Sequence, residues 1–276
     1  MAASFTPAEQ QRRPSSLSAA LRLESVTVRF GGVTALDDVT FGVAPGEIVS
    51  LIGPNGAGKS TAFNAICGLA PVASGRVRFA DTDLLALRRH KIVTAGIART
   101  YQGLQVFPSL TVGQNLTVGY HSLRRSTALA HAARLPRVRR ERAAASERAH
   151  WVAREFGLDA LWDREVSELP YGTQKKVDIA RAMVSEPRLL LLDEPAAGLP
   201  QRDLDELSGL VSSLNTRFTM SVLLVEHHMS MVMSVSDRVV VLHHGRLIAE
   251  GTPAEIRNDP QVLEAYLGRD RRDSHA

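Results

Sequence analysis

At 276 residues the chain is long enough to bury a sizeable core, as one large domain or as a domain with a subdomain. Its apolar content of 44%, charged content of 22% and net charge of +4 are those of an ordinary globular protein and make no case for nucleic-acid binding. No apolar run reaches the ~18–20 residues of a membrane-crossing helix, residues 1–20 lack the apolar stretch of a secretory signal, and the single cysteine, Cys67, excludes an intrachain disulfide and suits a reducing cytosol.

Residues 1–20 are rich in Ala, Ser, Gln and Pro and read as a flexible tail. From Leu21 to Phe30 polar and apolar residues mostly alternate, which predicts a strand. Gly31-Gly32 turns the chain, Val39 to Val43 is a second strand, and Pro45-Gly46 turns it again. Two short strands here predict an antiparallel element leaning on an α/β core. Phe30, beside the glycine pair, is either a core aromatic or a flat face for a base to stack on.

The apolar run Ile48–Ile52 then leads into Gly53-Pro54-Asn55-Gly56-Ala57-Gly58-Lys59-Ser60-Thr61, followed by helix-compatible residues from Ala62 to Leu69. This is G-x-x-x-x-G-K-[ST] in the strand–loop–helix setting that the motif requires. Glycines let successive backbone N–H groups point inward and form an anion-binding nest, to which the helix adds its positive end. Lys59 reaches the β- and γ-phosphates as a point charge, and the Ser60 hydroxyl is placed to ligate Mg²⁺. Cys67, among apolar residues after this loop, reads as a small core residue.

Gly75 to Ala80 predicts a strand and Leu84 to Ala95 a short helix, and Gln102 follows the segment Ala98-Arg99-Thr100-Tyr101. From Asn115 to Leu169 alanine and arginine dominate, with breaks at Pro136 and Gly157, which predicts a helical subdomain inserted in the core. Arg124, Arg125, Arg137, Arg139, Arg140 and Arg142 crowd there, as a solvated face or as a patch toward anionic lipid or a membrane partner. Trp151 and Trp162 read as anchors of this subdomain.

The α/β pattern resumes with an amphipathic helix from Lys175 to Met183. Leu189 to Leu192 is wholly apolar, the mark of a strand buried on both faces, and ends in Asp193-Glu194. A helix from Asp203 to Leu214 precedes a second buried strand, Ser221–Val225, which ends in Glu226-His227-His228. Arg238–His243 and Leu247–Glu250 flank Gly245 as a hairpin. Thr252-Pro253-Ala254-Glu255 carries the threonine cap and first-turn proline of a helix start. Residues 268–276 read as a second tail.

Open α/β sheets place ligands at the carboxyl ends of their strands, and three such ends here carry chemistry. Besides the glycine loop, Asp193 is held rigidly enough to orient Mg²⁺, and Glu194 can take a proton from, or orient, a water attacking the γ-phosphate. His227 can sense that phosphate from a neighbouring strand.

With these residues in order, the chain from about Leu21 to Leu267 resembles the ATP-binding subunits of ATP-binding cassette transporters. The resemblance implies a P-loop NTPase core of α/β class with a mostly parallel sheet, an antiparallel β subdomain and an inserted helical subdomain at about residues 111–170. It also implies ATP and Mg²⁺ as cofactors. Gly53 to Thr61 (Gly53, Pro54, Asn55, Gly56, Ala57, Gly58, Lys59, Ser60, Thr61) would be the Walker A loop, and Gln102 the Q-loop sensor of γ-phosphate and Mg²⁺. Leu169-Pro170-Tyr171-Gly172-Thr173-Gln174 stands at the signature, Leu189 to Glu194 is Walker B with the catalytic glutamate, Ala197-Gly198-Leu199 lies in the D-loop, and His227 is the switch histidine. Phe30 takes the adenine-stacking position, which favours the stacking alternative. Arg29-Phe30-Gly31-Gly32, the Leu-x-Tyr-Gly signature, Glu194-Pro195-Ala196-Ala197-Gly198-Leu199 and Glu226-His227-His228-Met229 are most similar to the branched-chain amino-acid uptake group.

That group implies permease subunits, a solute-binding protein and a second ATPase as partners, at the cytoplasmic face of the membrane. Urea or amide importers, lipid exporters and soluble cassette ATPases use related motifs and remain alternatives. The chain departs from the family where Pro170 replaces the signature serine, Thr173 the signature glutamine and Pro200 a polar D-loop residue. Proline has neither side-chain polarity nor an N–H. These departures lead to the expectation of a weakened half-site offered to a partner, and of an asymmetric heterodimer, with a homodimer as the alternative.

Overall fold

The computed structural model describes residues 20–123, 136–218 and 220–267. The expected tails, apart from Ala20, and Arg124 and Arg125 lie outside the described residues. Strands β1 (Leu21–Phe30) and β2 (Val33–Val43) precede β3 (Ile48–Ile52) and helix α1 (Lys59–Ile66). Then follow β4 (Val72–Phe79), β5 (Thr82–Asp83), α2 (Arg89–Thr94), β6 (Ile97–Arg99), α3 (Val112–Gly119), α4 (Pro136–Glu155) and α5 (Tyr171–Met183). The rest comprises β7 (Leu189–Asp193), α6 (Gln201–Phe218), β8 (Ser221–Val225), α7 (Met229–Val235), the hairpin β9 (Arg238–His243) and β10 (Arg246–Gly251), α8 (Pro253–Arg257) and α9 (Pro260–Leu267).

The strands form two sheets. A four-stranded antiparallel sheet runs β2-β1-β4-β5, and a six-stranded sheet runs β10-β9-β3-β8-β7-β6. In the second, β9, β3, β8, β7 and β6 are parallel and only β10 is antiparallel. The apolar runs are explained by burial on both faces. On β7, Leu190 and Leu192 join the core made with α3 to α7, whereas Leu189 and Leu191 join the core made with α1 and the antiparallel sheet. The parallel sheet is thus sandwiched, and the carboxyl ends of β3, β8, β7 and β6 lie side by side along one edge.

Several expected elements differ in extent; the second strand, expected over Val39–Val43, starts at Val33. The helix expected over Leu84–Ala95 occupies only Arg89–Thr94, because the Asp83 side chain accepts from the Leu85 N–H and turns the chain, while Leu84 is buried under the sheet. The strand expected from Gly75 begins at Val72 and runs through Gly75, which sits at a register break with φ of 96°. A Cβ there would fall 2.3 Å from the Ser25 carbonyl oxygen, so the close strand approach requires glycine.

Helix α3 starts at a capping box between Thr111 and Gln114. Buried Asn115 donates to the Phe107, Leu110 and Thr111 carbonyls and accepts from the Phe107 N–H, tying the preceding loop to the helix. Trp162 lies flat against this helix and stacks on His150 with centroids 3.6 Å apart. A Cβ on Gly113 would sit 2.2 Å from the indole. Gly113→Ala is expected to cost about 1–3 kcal/mol by overpacking, read as a lower midpoint in urea.

Candidate active site

The glycine loop is held in place by its neighbours. Gly58 has φ of 106°, and a Cβ there would lie 2.7 Å from the Ala35 carbonyl oxygen of β2. The β9–β10 turn closes the other side through Gly245 N–H to Ala57 O at 3.0 Å and Asp37 N–H to Gly245 O at 2.8 Å. The antiparallel sheet therefore braces the loop, and the β1–β2 hairpin carries Phe30 to its exposed end, with 48% of the residue open to solvent. Lys59 is buried, and its ammonium donates to the Gly53 and Pro54 carbonyls at 2.7 and 3.0 Å. Asn55, Gly56 and Ser60 are exposed at the loop surface, Pro54 and Thr61 half-buried and Ala57 buried.

Asp193 ends β7 and is buried. Its Oδ2 takes a hydrogen bond from Arg99 Nη2 at 2.7 Å, and Arg99 Nη1 donates to Asn64 Oδ1 of α1 at 2.8 Å. Arg99 thereby ties β6, β7 and α1 together, a role that no motif around it announces. A basic residue closing the apolar strand Ile97-Ala98 was the available signal. Burial pushes the Cys67 thiol upward, with Arg99 opposing that shift. Glu194 has φ of 48°, unusual for a residue with a side chain, and is fixed by its N–H to Val225 O at 2.8 Å. Gln102 Nε2 donates to Glu194 Oε2 at 2.9 Å, so the structure brings these two predicted residues together.

His227 follows β8, its side chain about half exposed. Its ring lies against His228, with centroids 4.4 Å apart. Glu226, His227 and His228 each place a ligand atom within 4.8 Å of the others. Glu226 Oε2, however, already accepts from the His227 and His228 N–H groups and from His228 Nδ1, which makes it a hydrogen-bond hub rather than an open metal ligand.

The signature-like residues form the start of α5. Pro170 is its cap, and Tyr171, Gly172 and Thr173 make its first turn, so their backbone N–H groups lack intrahelical partners. The Tyr171 hydroxyl donates to Ala197 O at 3.4 Å, and Gln174 Nε2 turns back to Leu169 O at 2.8 Å. Asp203 Oδ2 lies 2.9 Å from the point a Gly172 Cβ would occupy, which sets a carboxylate beside that turn.

Helix α9 also reaches the glycine loop. The Gly53 N–H offers the Tyr266 hydroxyl a hydrogen bond, while burial outweighs it and pushes the phenol up to about 12 from 10.0. A raised acid keeps its proton in the folded state, so stability should fall as pH rises from 10 to 12. Tyr266→Phe removes the group, and its melting temperature should decline less steeply over that window.

Known proteins match this architecture. The ABC transporter family model matches residues 36–197, and one for branched-chain amino acid ATP-binding cassette transporters matches residues 246–272. The high-affinity branched-chain amino acid transport ATP-binding protein BraF of Pseudomonas aeruginosa is 41% identical over 249 residues, covering 90% of this chain and 97% of its own. LivG of Escherichia coli, of the same description, is 40% identical over 248 residues, covering 90% and 97%. Among solved structures, an ATP-binding cassette of an ABC transporter in its ADP conformation superposes with a TM-score of 0.79 at 31% identity, covering 91% of this chain and 99% of that one. A nucleotide-free ATP-binding cassette gives 0.78 at 32%, covering 90% and 98%. The chain belongs to the ABC transporter family and is one of its ATP-binding, ATP-hydrolysing subunits.

Proposed function

We propose that this subunit powers uptake of branched-chain or similar hydrophobic amino acids from the cytoplasmic face of the membrane. The observation that carries the site assignment is the strand order. The glycine loop, His227, Asp193–Glu194 and Gln102 follow β3, β8, β7 and β6, four neighbours in one parallel sheet. The solute assignment is supported by the near full-length likeness to BraF and LivG, named for branched-chain amino acids.

ATP phosphates sit on the backbone N–H groups of residues 53–61, with Lys59 leaving the Gly53 and Pro54 carbonyls to meet the β- and γ-oxygens. The exposed Phe30 ring stacks on adenine. Glu194 orients and deprotonates the attacking water, with Gln102 and His227 at the γ-phosphate. Ser60, Gln102 and Asp193 offer hydroxyl, amide and carboxylate oxygens, the donor set of a hard cation, and so fit Mg²⁺. Bound there, Mg²⁺ supplies neutralisation of phosphate charge.

Among the described residues no helix is long and apolar enough to cross a membrane; the solute path is assigned to permease subunits, as the likeness to BraF and LivG supports. A surface cavity of about 940 Å³ between α2, α3 and α5, lined in part by His90, Phe107, His121 and Arg181, suits a permease loop. The second ATP-binding subunit meets this one head to tail. The return half-site is weakened: Pro170 lacks a hydroxyl, Gln174 is engaged with Leu169, and Asp203 sets negative charge near Gly172. A solute-binding protein completes the system.

The test is reconstitution with both permeases, the second ATPase and the binding protein in vesicles. Leucine, isoleucine or valine should stimulate ATP turnover and accumulate inside. Stimulation by urea or short amides alone would reassign the solute, and rapid turnover by an ATP-driven homodimer of this chain would overturn the asymmetric pairing.

A further inference from the structure

Glu226 is a buried carboxylate, 1% exposed, that the reaction outlined above does not use. Its two oxygens face different partners. Oε1 accepts from the Ala196 N–H at 2.8 Å, two residues beyond Glu194. Oε2 accepts from the His227 N–H at 2.9 Å, the His228 N–H at 3.1 Å and His228 Nδ1 at 2.9 Å. No cation among Lys and Arg is paired with it among the described residues; the His228 ring and three backbone N–H groups meet its charge. Such a carboxylate is costly to bury unless its acceptors are filled, and here four donors fill them.

From this geometry we infer that Glu226 is a positioning residue for ATP hydrolysis, clamping the Glu194–Ala196 turn to the His227 loop so that water-orienting and phosphate-sensing groups keep a fixed spacing. The clamp spans the gap between β7 and β8. Those strands are joined in register only as far as Asp193–Val225, so beyond that point their loops depend on other bonds. One of these is Glu194 N–H to Val225 O, and among the described residues the Glu226 carboxylate is the other that joins the two loops. The strained backbone of Glu194 needs such over-determination. Chemically, a carboxylate is required because it accepts on both oxygens. Glutamine accepts on one, and turning that oxygen toward the histidines confronts the Ala196 N–H with an amide N–H.

The inference rests on Glu194 and His227 acting as proposed, and the experiment separates the two. Turnover, ATP binding and melting temperature are measured for Glu226→Gln, Glu226→Asp, His227→Ala and the Glu226→Gln/His227→Ala pair in the assembled transporter. Glu226→Gln should lower kcat about 10- to 100-fold, the scale of a small misplacement of reacting groups, with KM for ATP within about threefold of the parent. Glu226→Asp should recover part of that loss. The double variant should lose less than the two single losses combined, because part of the clamp's effect runs through His227. Additive losses, or a normal kcat in Glu226→Gln alongside a slow His227→Ala, would overturn the clamp while leaving the reaction intact. A normal rate in His227→Ala would instead remove the premise. If Glu226→Gln does not fold, His228→Leu deletes one donor and His228→Asn restores one; equal rates for both, at the parent level, would likewise overturn the clamp.

Discussion

Replacing Glu194 by glutamine is expected to leave ATP binding intact and to slow hydrolysis at least ~100-fold, the scale for losing a general base. The structure makes this substitution unusually clean. The backbone at Glu194 is held by its own N–H on Val225 O and by the Ala197 N–H on its carbonyl, neither of which involves the side chain. Gln102 Nε2 donates to Oε2, and a glutamine carbonyl oxygen at the same position still accepts that bond. Only basicity is removed. Phosphate release together with equilibrium ATP binding checks the result, and near-normal turnover would take Glu194 out of the role.

A comparably large effect, on stability rather than rate, is expected at Asp193. The Arg99–Asp193 pair is 2.7 Å long, with side chains 9% and 5% exposed. Deleting one partner leaves the other charge buried without compensation, so Asp193→Ala should cost about 3–5 kcal/mol. In a chain of this length that is a fall of roughly 6–20 °C in melting temperature. Replacing both residues with apolar side chains, Asp193→Leu with Arg99→Met, should recover most of it, since the desolvation of both charges is also removed. The measurement is thermal unfolding without nucleotide. Equal losses in the single and double variants would show that an uncompensated buried charge is not the source of the cost.

Loss of activity in an Asp193 variant therefore has two sources, a missing carboxylate and a loosened sheet edge, and the melting temperature separates them. The same pair also engages one of the two oxygens that Asp193 can present to a cation.

Much of the candidate site's strand edge was legible from the chain alone because its strands are buried on both faces. Leu189–Leu192 and Ser221–Val225 show as short apolar blocks, and the polar residues that end them stand out. The helix start at Thr252 was equally legible, since threonine and glutamate there complete a reciprocal capping box. Arg99, Glu226 and Asp203 were passed over for a common reason. Each acts on a partner set by strand order or helix packing, Arg99 on Asp193, Glu226 on Ala196 and Asp203 beside Gly172, and periodicity carries no information about which strands are neighbours. The shortened α2 has a local cause instead, a side chain competing with the helix for the backbone at Asp83–Leu85. Gln174, one place beyond Thr173, turns its amide N–H back to the Leu169 carbonyl, a contact set by the local helix start and not by the order of residues.

On the proposed asymmetry, hydrolysis of the ATP gripped by this chain's glycine loop drives the cycle, while the site completed by Pro170, Thr173 and Pro200 contributes little. The measurement is phosphate release from the assembled transporter with Lys59→Ala in this subunit alone, beside the matching change in the partner's loop alone. Removing the charge that meets the β- and γ-phosphates should lower turnover by ~100-fold or more in the first case and only a few-fold in the second. Turnover at the parent rate with Lys59→Ala in this subunit would show that its ATP does not drive the cycle.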